Sequence, residues 1–128
     1  LEGLELVVVP WQYGFADEQP FPKELAEEIR AKGHHVHFGT MLFHTDQLYG
    51  SKTPEVMGNL LRIFGQGMKV CVEITMMACD GGCVEAKEKV IAIAGTASGA
   101  DTAIVVSAAP STKMPKMKIH EIICKPLL

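Results

Sequence analysis

Val90-Ile91-Ala92-Ile93-Ala94-Gly95-Thr96-Ala97-Ser98-Gly99-Ala100-Asp101-Thr102-Ala103-Ile104-Val105-Val106 holds two short apolar runs around a polar, glycine-bearing segment. Runs of this length, rich in β-branched residues and joined by turn residues, read as two strands. Their near-continuous apolar character predicts that both faces are covered, as in an α/β sheet. The turn gathers small residues, hydroxyls and backbone N–H groups at a strand end, where α/β proteins usually place a ligand.

Working outward, Glu85 to Lys89 is a polar connection, preceded by Met68 to Asp80 (MKVCVEITMMACD). That run fits strand alternation and a helical face alike, but its length and the following Gly81-Gly82 favour a mostly buried helix. Glu73 inside it is either solvent-facing or salt-bridged, the favoured reading, or an acid facing a pocket. Upstream, Thr53-Pro54-Glu55 reads as a helix start with Thr53 as N-cap, and Met57, Leu60, Leu61 and Phe64 form a core stripe. Ile119 to Cys124 reads as the last strand, after a flexible-looking segment from Ser107 to Lys118.

In the first half, Leu4 to Val9 (LELVVV) is predicted as a buried strand stopped by Pro10. Trp11-Gln12-Tyr13-Gly14-Phe15 follows, and its aromatics either floor a pocket for a planar ligand or cover the core edge. Phe21-Pro22 opens a helix with Ala26, Leu25 and Ile29 as its apolar stripe and Lys32-Gly33 as its stop. His34 to Gly39 is a second strand. His35 and His37 share a strand face, but no third or fourth zinc ligand of suitable spacing follows, so exposed histidines are expected. Thr40 to Lys52 is a long loop containing Met41, Leu42, Phe43, His44, Leu48 and Tyr49, of a length that is often functional or packed at an interface.

The 128 residues fit one domain, residues 1–128, with 48% hydrophobic content and a net charge of −3. That balance offers no basic face for nucleic acid. No apolar run approaches the roughly 20 residues that span a bilayer. Four cysteines and seven methionines read as reduced core residues of a cytoplasmic protein. Cys79 and Cys83 are expected to be inert, since neither a metal nor a redox spacing is present. No nucleophile is paired with a base at a recognisable spacing, although Glu73, His44 and Asp80 are available as acids or bases. A buried-type strand close to Leu1 leads to the expectation of a domain incomplete at its N-terminus.

Phe64-Gly65-Gln66-Gly67-Met68-Lys69-Val70-Cys71-Val72-Glu73-Ile74, then Met77-Ala78-x-Asp80-x-Gly82, Val90 to Val106 and Glu121-Ile122-Ile123-Cys124-Lys125-Pro126 occur in this order. With these motifs the chain resembles the stand-alone archaeal and bacterial proteins similar to the C-terminal α/β domain of pyruvate kinase. The resemblance implies a three-layer α/β/α fold with a mostly parallel sheet and an antiparallel edge element. It implies no pyruvate kinase activity, because the catalytic barrel is not part of this family. It further implies binding of a phosphorylated planar ligand, with FMN as the candidate cofactor and a sugar phosphate as the other option. Relatives begin with an extra strand and helix joined by a Ser-x-Ser-Gly-x-Thr-Ala loop, which nothing before Leu4 supplies. Where they show Thr-His-His-x-Gly-Phe, this chain keeps Gly14 and Phe15; where they show Thr-His, it keeps Thr40 and has Met41.

The expected function is therefore a non-catalytic small-molecule-binding domain. Gly95, Thr96, Ser98, Gly99, Asp101 and Thr102 would offer N–H and hydroxyl groups to the ligand. Trp11, Gln12, Gly14, Phe15 and Thr40 complete the candidate site, with Trp11 or Phe15 against a ring. The alternatives are a flavin-dependent redox enzyme or small hydrolase, and an oligomeric scaffold or regulatory subunit in which the chain pairs with itself.

Overall fold

The computed structural model describes residues 3–46 and 50–128. Leu48 and Tyr49 of the long loop lie outside the described residues. The chain is a small α/β domain with one parallel and one antiparallel sheet.

The first half is a β-α-β unit. Strand β1 (Val7–Val8) pairs in parallel with β2 (His35–Val36), with Val7 opposite His35 and Val8 opposite Val36. Helix α1 (Lys23–Ala31) connects them. Pro22 stands at its N-cap, one step earlier than a proline inside the first turn. Gly33 takes φ +86, which a glycine adopts without steric cost, and its N–H donates to Arg30 O. Ala26 is the buried member of the expected stripe, while Leu25 is 41% exposed.

The buried strand expected over Leu4–Val9 needs correction. Only Val7–Val8 is strand, and Leu4 and Leu6 are 64% and 38% exposed. Apolar composition alone does not bury a strand; a sheet of two short strands offers it no covered second face.

Helix α2 (Thr53–Arg62) begins one residue earlier than expected, with Lys52 as N-cap and Thr53 already helical. Its apolar stripe is only half buried: Leu60 and Phe64 are largely exposed, so the expectation of a core stripe fails at both. Gly58 is buried because the helix approaches the 3₁₀ turn described below, where an added Cβ would lie 3.3 Å from Phe43 Cβ.

Helix α3 (Gln66–Asp80) organises the rest, and the ambiguous 68–80 run is indeed helical and mostly buried. One side, with Met68 and Cys71, packs on Ala92, Ala94, Ile104 and Val106 of the antiparallel sheet. The other side, with Val72 and Met76, packs on Phe43 from a short 3₁₀ turn, Leu42–His44. The chain then forms β3 (Lys89–Ala94), β4 (Thr102–Ser107) and β5 (Lys118–Cys124) in the order β3-β4-β5. The segment before β5 is less loose than its composition suggests. It contains a 3₁₀ stretch, Ser111–Lys116, fastened where Ser111 N–H and Oγ–H both donate to the Asp80 carboxylate.

Two further expectations change. The strand–turn–strand reading of Val90–Val106 holds, but only one face is covered: Ile91 is 62% and Ile93 58% exposed. In place of a single, mostly parallel sheet, the described residues form two sheets, and the larger one is antiparallel throughout. Apolar strands cannot reveal pairing direction, because period-2 burial is common to both kinds of sheet.

Candidate ligand-binding site

Between the carboxyl end of β1 and the middle of α3 lies a cavity of about 160 Å³. Lys69 and Glu73 are four residues apart on α3, hence one above the other on a single helix face. Lys69 Nζ lies 2.8 Å from Glu73 Oε1, and the two side chains are 2% and 3% exposed. A charge held this far from water needs a partner, and each is the other's. Glu73 therefore satisfies the salt-bridged reading and the pocket-facing one together, and is not solvent-facing.

The 3₁₀ turn closes the cluster. Phe43 N–H donates to Glu73 Oε2 at 2.8 Å, and Lys69 Nζ donates to His44 Nε2 at 2.9 Å. An ammonium has no lone pair, so His44 Nε2 must accept and its proton sits on Nδ1. Burial, and next the Lys69 ammonium, hold His44 below the ordinary imidazole pKa, with Glu73 opposing them. At α3's first turn, Gln66 Oε1 accepts from Arg62 Nε at 2.7 Å, which leaves the Gln66 amide NH₂ facing away from Arg62.

The cavity's other wall is aromatic. Trp11 and Phe15 meet edge to face with centroids 5.1 Å apart, and Phe15 meets the His44 ring at 5.2 Å. Gln12 holds this loop in place, its Oε1 accepting from Met41 N–H. Gly14, at φ +85, allows the tight return from Gln12 to Phe15.

Of the residues expected at the site, Trp11 and Phe15 line this cavity, and Gln12 and Gly14 shape the loop that carries them. Thr40 lines a neighbouring cavity of about 340 Å³ with His37 and Asp80. The turn from Gly95 to Thr102 lines neither. Its features serve the backbone: a Cβ on Gly95 would lie 2.2 Å from Gly99 O, and Thr102 O–H donates to Asp101 Oδ1. The turn packs on α3's first turn, where a Cβ on Gly67 would lie 2.2 Å from Thr102 Oγ1.

Lys69 is the cavity residue that sequence reasoning misses. Its signal is Lys69-x-x-x-Glu73 inside an apolar helix, since buried opposite charges at i,i+4 predict each other. Cys71, Cys79 and Cys83 are unsuited to nucleophilic work. Cys71 is pushed up to about 11 by burial, and burial also raises Cys79 and Cys83. Among the described residues no group of three or more His, Cys, Asp or Glu side chains is placed to hold a metal ion. His35 instead meets the Glu5 carboxylate. No described helix is long and apolar enough to cross a membrane. No family model matches the chain.

Proposed function

We propose that this chain is a non-catalytic small-molecule-binding domain whose ligand enters the cavity between Trp11, Phe15 and Lys69. The observation that carries this reading is the hydrogen-bond balance of the cavity's floor. Both Glu73 oxygens and His44 Nε2 already accept bonds from protein donors. Lys69 has three N–H donors and uses two, and the Gln66 NH₂ has no partner among the described residues. The floor thus has donors to offer under an aromatic wall, and it suits a ligand that presents acceptor oxygens beside a flat or apolar body.

A phosphorylated planar compound has that character, with FMN and sugar phosphates as the two classes that the pyruvate kinase C-terminal-like resemblance suggests. Volume ranks them. Pockets for drug-sized ligands run roughly 300–1,000 Å³. A cavity of about 160 Å³ takes a sugar phosphate more readily than a whole isoalloxazine, which would have to lift the Trp11–Phe15 loop. The same reading takes the fold as the three-layer arrangement of that family, with no pyruvate kinase activity.

Titration calorimetry with FMN and a panel of hexose and pentose phosphates tests the proposal. Saturable binding weakened at least about tenfold by Lys69→Met with Glu73→Leu is the expected result, as for a lost charge-assisted contact. Absence of binding across the panel, or binding indifferent to this pair, would overturn it.

A further inference from the structure

The face of the antiparallel sheet opposite α3 has its own pattern, independent of the cavity. Strand register places Ile93 beside Ala103 and Ile91 beside Val105, with Glu121 at the far end of the second row. A third row is Lys89, Ser107 and Lys118. His120, at the register shift in β5, reaches Ser107 Oγ with its Nε2 and so joins that row. One end of the face is therefore apolar and the other cationic. The two isoleucines, at 62% and 58% exposed, are uncovered by any described element, and neither lysine has an acidic partner among the described residues.

We propose that this face docks an amphipathic helix of a partner protein, with acidic side chains at the end that lies over Lys89 and Lys118. Sheets in α/β domains bury such faces under helices, because a helix presents an apolar stripe of matching width. Charge complementarity selects the kind of helix. Acids meet Lys89, Lys118 and the His120 ring, while Glu121 in the second row repels an acid displaced toward the isoleucines and so fixes which end goes where. Length agrees as well. A six-residue strand spans about 20 Å, which a helix of about 13 residues covers. An acidic first turn also favours the helix itself, through its macrodipole.

The test uses the whole chain and two fluorescein-labelled synthetic helices of about 14 residues. Both carry one leucine stripe; one has glutamates in the first turn and the other lysines. Anisotropy titration should show the glutamate peptide binding at least about tenfold tighter than the lysine peptide. Ile91→Thr with Ile93→Thr should remove most of that binding, and Lys89→Glu with Lys118→Glu should invert the preference. Threonine suits an exposed strand position, and a thermal melt reports that each variant is folded. No binding of the glutamate peptide, or equal affinity for both peptides, overturns the proposal. So does light scattering that finds a dimer dissolved by Ile91→Thr with Ile93→Thr, which would assign the face to a second copy of the chain.

Discussion

Two regions meet at the first turn of α3 and divide its surroundings between them. On one side, the cluster of His44, Lys69 and Glu73 buries charge in the wall of a cavity. On the other, the Gly95–Asp101 turn has the composition of a ligand loop, yet its glycines and hydroxyl close the turn and seat it on Gly67. Small polar residues in a turn serve backbone geometry as readily as a ligand. A buried ion pair is harder to account for by stability alone, because hydrophobic residues of similar volume often stabilise a core as well or better. The costlier feature is the better indicator of function.

The sharpest way to break this contrast is Glu73→Ala. It strands the Lys69 ammonium and leaves Phe43 N–H without its acceptor, so urea denaturation should register a loss of about 3–5 kcal/mol. Lys69→Met with Glu73→Leu removes both charges but still leaves Phe43 N–H without its acceptor, so it should cost about 1–3 kcal/mol, less than Glu73→Ala. If that double variant were as unstable as Glu73→Ala, the pair would be structural and the argument for function would lose its basis.

Next in size is Gly67→Ala, which drives a methyl group into Thr102 and should cost about 1–3 kcal/mol by thermal or urea unfolding. Thr102→Ala in the same chain should recover part of the loss, since the added methyl meets that side chain first. No recovery would mean that the turn is not held by this packing. A smaller effect separates the regions by binding. Thr96→Ala with Ser98→Ala should change affinity for a bound sugar phosphate by less than about twofold, far below the effect of removing the Lys69–Glu73 pair. A larger drop would return the turn to the site.

How far these regions can be read from sequence depends on the kind of signal each carries. Strands β3 and β4 and helix α3 are legible because periodicity and length are local properties. The exposure of Ile91 and Ile93 is not, since coverage of a face depends on which elements the chain brings to it. Trp11 and Phe15 are legible as aromatics at a strand end. Lys69 escapes notice because a lysine normally reads as surface, and only its spacing from Glu73 betrays a buried partner. His44 stands out in the sequence solely as an available base; its contact with Lys69 joins residues 25 positions apart, which no local pattern encodes.

The smallest expected effect probes that contact. His44 lies below its ordinary value of 6.5 in the folded chain, through burial first and the Lys69 ammonium second. The unfolded chain therefore takes up a proton near pH 6.5 while the folded chain still resists it. The sign follows: the His44 contribution to stability is complete above 6.5 and declines as pH falls toward the depressed folded value. Protonation would also set two cations face to face and loosen the 3₁₀ turn that carries His44, together with Met41 before it, along the cavity wall. Urea midpoints taken from about pH 7.5 down to about 5 should fall, and the His44→Gln variant, which keeps an acceptor for Lys69 but cannot titrate, should show a shallower decline. Parallel declines in the two proteins would place the acid sensitivity elsewhere, and the cluster would then hold its geometry without any part for the His44 proton.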